Sequence, residues 1–293
     1  MFNLQGKVAL VTGASRGVGK GIALELCEAG ATVYITGRTK RGEIVDGLGG
    51  SVFDTAKEAE TLGGQCIPLL CDHRDDTQTQ QVFETIFTQQ NHLDILVNNV
   101  WAGYQYMVED NGKDWVATWE NPFWEQPRWR WDAMFEAGVR AHYVSSQFAA
   151  KKMVEQKQGL IINISFWAAQ KYMGNTAYGI AKIASDQMAR YMAHELNPYS
   201  VAAVSLYPGL VRTESVLRAA HLFDMSNSES PQFIGRAIAA LAVDSNIMQK
   251  TGQVLVAASL GLEYGFTDID GKQPRPLTLE EFRKTKTNMT LSV

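Results

Sequence analysis

The sequence predicts an α/β fold built on a parallel sheet with helices on both faces. Three observations predict it. Val8 to Val11 is a continuous apolar run, as suits a strand buried on both faces. Gly13, Gly17 and Gly19 follow, and then Ile22, Leu24, Leu26 and Cys27 sit at spacings a half-buried helix can use. Further apolar, β-branched segments then alternate with helical patterns along the chain. Strand, glycine turn and helix together set backbone N–H groups and a helix N-terminus against a phosphate. Gly13 allows the tight turn, while Gly17 and Gly19 let backbone approach a pyrophosphate and let the helix pack on the strand.

Composition narrows the class. The chain has 293 residues, 45% of them hydrophobic, enough for a sizeable core in one large domain. A net charge of −4 gives no reason to expect nucleic acid as a partner. Cys27, Cys66 and Cys71 form no C-x-x-C pair and read as reduced, buried thiols. The first strand begins by Val8, which leaves no room for a signal peptide, and no apolar stretch approaches the roughly 20 residues of a bilayer span. A cytoplasmic protein is expected. Neither H-E-x-x-H nor a cysteine cluster points to a metal.

Ala31 to Thr36 reads as the second strand and ends at Gly37-Arg38. A carboxylate here would bind the adenosine ribose hydroxyls and repel a 2′-phosphate. The chain instead has Arg38, Lys40 and Arg41, with Arg16 in the glycine loop. Two guanidinium forks suit a phosphate dianion, so NADP(H) is the expected cofactor in preference to NAD(H). The alternative is that Arg38 to Arg41 is simply a solvated loop. Ser51 to Leu62 reads as a helix capped by Ser51, and Gln65 to Cys71 as the third strand, followed by Asp72. Asp76 to Gln90 is the next helix and Asp94 to Asn99 the fourth strand, with Asn98 at its carboxyl end.

The stretch from Tyr104 to Trp131 is unusual. Six of the seven tryptophans lie between Trp101 and Trp131, and Pro122 and Pro127 interrupt regular structure. Three readings stay open: an aromatic wall for a bulky apolar substrate, a self-association or membrane-contact patch, or a satellite core under a long loop. Trp131 to Val154 is predicted as one helix. Gly159 to Ser165 is the fifth strand and ends in a hydroxyl. Tyr178 and Lys182 then lie one helical turn apart on a shared face. Asn197-Pro198 ends that helix. Val201 to Leu206 is the sixth strand, followed by the turn Pro208-Gly209. Glu214 to Pro231 is expected to be a mobile polar lid, Gln232 to Val243 a helix and Gln253 to Ala258 the seventh strand. A tail from about residue 262 carries a charged helix candidate, Leu279 to Lys286.

Taken together, Thr12 to Gly19 (Thr-Gly-Ala-Ser-Arg-Gly-Val-Gly), Asn98-Asn99, Ser165 and Tyr178-Gly-Ile-Ala-Lys182 resemble the short-chain dehydrogenase/reductase family over residues 6 to about 260. The resemblance implies a Rossmann-like, doubly wound parallel sheet of seven strands in a single domain, with an insertion at about 104–131 and a C-terminal extension at about 262–293. It implies NADP(H)-dependent interconversion of a carbonyl and an alcohol. Ser165, Tyr178 and Lys182 inherit the catalytic roles. A tyrosine with a pKa near 10 needs a neighbouring ammonium to favour its phenolate, and a hydroxyl to fix the substrate oxygen. Gly13, Ser15, Arg16, Gly17, Val18, Gly19, Arg38, Asp72, Asn98, Tyr178, Lys182, Pro208, Gly209, Val211 and Thr213 inherit contacts to the cofactor. Within that set, Asp72 faces the adenine amino group, and Gly209, Val211 and Thr213 face the nicotinamide carboxamide. A homodimer or homotetramer pairing through the tyrosine-bearing helices is a further implication.

The sequence departs from the family in two places. Val100-Trp101 stands where the family continues Ala-Gly. Gly138 falls where the family often has an asparagine that holds a water in a proton relay. These departures motivate one rival reading, a non-catalytic NADPH-binding regulator. The tryptophans motivate another, a membrane-surface protein.

Overall fold

Seven parallel strands form one sheet in the computed structural model, which describes residues 2–44, 47–104, 118–119 and 121–278. They are β1 (Val8–Val11), β2 (Thr32–Gly37), β3 (Gln65–Leu70), β4 (Ile95–Asn98), β5 (Gly159–Ile164), β6 (Val201–Tyr207) and β7 (Val254–Val256). The strand order is β3-β2-β1-β4-β5-β6-β7. The order reverses between β1 and β4, and ligands bind at the carboxyl ends of strands beside such a switch point. This is the Rossmann-like architecture expected from the sequence.

Both faces of the sheet are covered at its centre, which is why β1, β4, β5 and β6 are largely apolar and buried, whereas edge strand β3 is only partly so. Ala9 and Val11 of β1 join one core cluster, whereas Val8 and Leu10 join the other. β5 divides in the same way, with Leu160, Ile162 and Ile164 on one side and Ile161 on the other. The described helices are α1 (Gly17–Glu28), α2 (Val52–Thr61), α3 (Asp76–Gln90), α4 (Arg128–Met134), α5 (Ala141–Gln156), α6 (Thr176–Leu196), α7 (Glu214–Arg218), α8 (Pro231–Val243) and α9 (Ala257–Tyr264). Ser51 caps α2 in a reciprocal box with Asp54, as its sequence predicts.

Three elements differ from expectation. The helix predicted over Trp131 to Val154 is α4 and α5 joined by a π-helical turn, Phe135–Arg140. The seventh strand stops at Val256, because the alanine-rich run after it is taken into α9. The stretch from Glu214 to Pro231 is not featureless. It holds α7, a 3₁₀ turn at Ala220–Leu222 and a bridge between Val211 and Glu229. Residues 105–117 and 120 of the tryptophan-rich stretch lie outside the described residues, as does the helix candidate Leu279 to Lys286. The near part of the tail packs back on the domain, where buried Asp268 accepts from Arg212 Nη2 at 2.9 Å and from the Ser230 amide at 2.8 Å.

Helices α1 and α8 meet through small residues. A Cβ added at Gly21 would stand 2.3 Å from the carbonyl carbon of Pro231, and one at Gly235 would stand 2.6 Å from Cβ of Glu25. Gly21→Ala gains about 1 kcal/mol of helix propensity but overpacks against backbone at a cost of about 1–3 kcal/mol. The overpacking dominates, so urea denaturation of Gly21→Ala is expected to show net destabilisation.

Candidate active site

The side chains at the carboxyl ends of β4 and β5 face the first turns of α6. Asn175 caps α6, its Oδ1 accepting from the Tyr178 amide at 3.0 Å, and this fixes Tyr178 in the first helical turn. The Asn175 amide nitrogen donates to Trp119 O at 3.2 Å and to Gln126 Oε1 at 3.0 Å, tying the tryptophan-rich segment to the same cap. Arg130 is the hub of that segment. It is only 1% exposed, and it donates to Thr118 O at 2.9 Å, to Thr118 Oγ1 at 2.8 Å and to Gln126 Oε1. Its guanidinium stacks on Trp119 and Trp129, with centroids at 5.4 and 5.2 Å.

Ser165, Tyr178 and Lys182 are all buried and close together. The Ser165 hydroxyl donates to Lys182 O at 3.3 Å and also lies against the Asp186 carboxylate. Lys182 Nζ donates to Ile164 O at 3.4 Å and stands 5.8 Å from the centre of the Tyr178 ring. Burial pushes the Lys182 ammonium down to about 8, partly opposed by Asp186. Burial likewise raises the Tyr178 phenol well above its ordinary value, and neighbouring Tyr104 adds to the rise. The Tyr104 hydroxyl donates to the Tyr178 hydroxyl at 2.9 Å. Trp119, Trp101 and Phe166 surround the Tyr178 ring at 5.3, 5.9 and 6.5 Å between centroids. Of the readings open for the tryptophan-rich segment, its described inner part therefore forms a satellite core around Tyr178. Phe123 and Trp124 stay exposed.

Trp101 and Gly138 are complementary. A Cβ at Gly138 would lie 2.6 Å from Trp101 Cζ3, so the indole occupies the space of any side chain at 138. The same ring presents its face to Lys182 Nζ, 3.9 Å from the centroid. The π-helical turn carrying Gly138 borders this contact, and α5 holds the loop through His142 Nε2, 2.9 Å from Val100 O.

The glycine loop suits a dinucleotide. Gly13 and Gly17 have φ of +68° and +57°, and a Cβ at Gly19 would lie 2.4 Å from Gly13 O. The Gly17 amide already donates to a carboxylate, Glu214 Oε2, at 3.0 Å, so an anion is accommodated at the start of α1. Ser15 lies beneath β2, 3.5 Å from a Cβ built on Gly37, and Val18 packs on the core. Arg16 Nη1 donates to Leu48 O at 2.9 Å. Arg38 is exposed at the end of β2 with no ion-pair partner among the described residues. Asp72 is clamped by Arg74, with bonds of 2.5–3.1 Å that hold its carboxyl below the usual range.

Asn98 is enclosed. It donates to Asn163 Oδ1 across the β4–β5 ladder at 2.9 Å and to Ser146 Oγ at 2.8 Å, which makes it a brace between elements. Asn99 instead supports the glycine loop through Thr12 O and Gly13 O, both at 2.9 Å. After Pro208, the Gly209 amide donates to Glu229 Oε2 at 2.8 Å, and burial pushes that carboxyl up to about 7. Val211 bridges Glu229, and Thr213 caps α7 through Val216 N at 3.3 Å. Sequence reasoning missed Asp186 and Glu214 as neighbours of the site, and it gave Trp101 and Tyr104 only as part of an aromatic segment, without their contacts to Lys182 and Tyr178. The one available signal was the size exchange, tryptophan at 101 with glycine at 138.

A doubly wound sheet with a glycine phosphate loop and a buried Ser-Tyr-Lys group defines a nicotinamide-dependent oxidoreductase, and the chain belongs to the short-chain dehydrogenases. The model of that family, described as short chain dehydrogenase, matches residues 7–221. The chain is 41% identical over 283 residues to dehydrogenase/reductase SDR family member 1 of Mus musculus, covering 92% of this chain and 85% of that protein. Identity to the Homo sapiens protein of the same name is 41% over 287 residues, with the same coverage. Among solved structures, a short chain dehydrogenase from Mycobacterium thermoresistibile is similar at 27% identity and TM-score 0.77, covering 94% of this chain and 92% of that one.

The packing yields a double-mutant prediction. Gly138→Ala is expected to destabilise the protein by about 1–3 kcal/mol through overpacking, and to cost far less when Trp101 is Leu. Equal costs in both backgrounds, measured by chemical denaturation, would refute the contact.

Proposed function

We propose that the chain catalyses NADP(H)-dependent interconversion of a carbonyl and an alcohol on a bulky apolar substrate. The observation that carries this is the buried Ser165, Tyr178 and Lys182 group at the carboxyl end of β5, ringed by aromatic side chains. The nicotinamide cofactor, when bound, supplies the hydride for reduction or accepts it in oxidation. Gly13 to Gly19 would cradle its phosphates, with Ser15 and Val18 in the loop, and exposed Arg38 with Arg16 would take the 2′-phosphate. Asp72, Pro208, Gly209, Val211 and Thr213 line the remaining contacts. Asn98 belongs to the site as a brace.

Tyr178 gives its phenolic proton to the oxyanion left by reduction, and takes one in oxidation. Lys182, cationic below about pH 8, lowers the cost of the phenolate that forms. Ser165 turns its hydroxyl from Lys182 O to the substrate oxygen. Trp119, Tyr104 and Phe166 favour an apolar substrate body. Ile180, Ile183 and Tyr191 of α6 and Tyr143 of α5 are exposed, which supports pairing of two copies through these helices. Three buried, unpaired thiols support a cytoplasmic setting. The exposed Phe123–Trp124 pair favours membrane-surface contact as a second role, which binding to liposomes tests. No helix among the described residues is long and apolar enough to cross a membrane.

The test combines NADPH fluorescence titration with NADPH consumption over benzaldehyde, cyclohexanone, acetophenone, benzil and menadione. Wild type is expected to turn over part of this panel. Tyr178→Phe is expected to bind NADPH unchanged and turn over none of it. Wild type should bind NADPH about tenfold or more tighter than NADH, a difference of about 1.4 kcal/mol, and Arg38→Asp should erase it. Binding without turnover would favour the regulator, and equal affinities would refute the NADP(H) preference.

A further inference from the structure

We infer that Tyr104 is a second catalytic tyrosine, the one that returns to Tyr178 the proton it gives to substrate. The inference rests on the carbonyl–alcohol reading above.

Geometry carries it. Tyr178 is buried, so a proton lost from its hydroxyl needs a conducting neighbour. On the inner side Trp101 takes the place of a relay side chain. The Trp101 ring fills the space beside Gly138, 2.6 Å from where a Cβ would stand, and covers Lys182 Nζ at 3.9 Å. A side chain at 138 would clash with the indole, so the asparagine that holds a water in the resembling family has no counterpart here. On the outer side stands Tyr104. Its hydroxyl lies 2.9 Å from that of Tyr178, within proton-transfer distance. Tyr104 is 42% exposed against 4% for Tyr178, so it is the member of the pair nearer the surface, although burial raises its phenol too. The bond runs in the useful direction. Tyr104 donates and Tyr178 accepts, which leaves the Tyr178 proton free for the substrate oxygen.

The steps balance. As the substrate oxyanion gains its O–H bond, that of Tyr178 breaks. As Tyr178 regains an O–H bond, that of Tyr104 breaks. An acid in the solvent then protonates Tyr104. Nothing is oxidised or reduced in these transfers, and oxidation of an alcohol reverses them.

The experiment compares wild type, Tyr178→Phe and Tyr104→Phe with benzil, or with a faster member of the same panel, at rising imidazole concentration. Tyr104→Phe keeps the ring and removes the carrier. It is expected to bind NADPH like wild type and to lose about tenfold or more in kcat at low imidazole, with an enlarged solvent deuterium isotope effect. Imidazole should restore its kcat and leave wild type unchanged. Undiminished turnover in Tyr104→Phe, or a loss that imidazole does not restore, would overturn the assignment. If Tyr178→Phe turns over as wild type does, the parent reading fails and Tyr104 falls with it.

Discussion

The site is built around a buried ammonium. Charge is costly to remove from water, and Lys182 is 6% exposed. Its partners are one carbonyl, Ile164 O, the face of Trp101 and the more distant field of Asp186. They stabilise the cation incompletely, so it titrates near 8. Much else follows from housing it. The Trp101 ring needs room, and Gly138 provides it. The π-helical turn lies where that ring meets α4 and α5. Val100, whose carbonyl is held by His142, delivers the indole to its place.

A second buried cation, Arg130, organises the other side. Its guanidinium gathers the carbonyl and hydroxyl of Thr118 and the side chain of Gln126, and two indoles stack on it. Through Asn175 the same network caps the helix that bears Tyr178. The aromatic segment is thus mechanically continuous with the site. A sequence change at Gln126 or Arg130 reaches Tyr178 without touching it.

Much of the fold was legible because its signals are local. The apolar run at Val8 to Val11, the Ser51 cap with Asp54, and the spacing of Tyr178 and Lys182 on one helical face each declare themselves within a few residues. Contacts between distant residues were not legible. Tyr104 and Tyr178 are 74 positions apart, and their contact depends on how the aromatic segment folds back. Arg130 sits in a stretch of exposed-looking polarity, yet it is buried, because Thr118, Gln126 and two indole faces from other positions gather around its guanidinium. The π-helical turn had only Gly138 to mark it. Asn98, at a strand end beside the switch point, was legible as a site residue, but its partner was not. The β4–β5 register sets it opposite Asn163 and so encloses it.

The site depends on a Lys182 amine that is buried, cationic and held against Trp101. Its titration can be followed directly by NMR in lysine-labelled protein, with Lys182→Arg assigning the resonance. A midpoint near pH 8 is expected in wild type. A lower midpoint is expected in Trp101→Leu, where the cation loses its aromatic face. A wild-type midpoint near the ordinary lysine value of about 10.4, unmoved by Trp101→Leu, would contradict that arrangement.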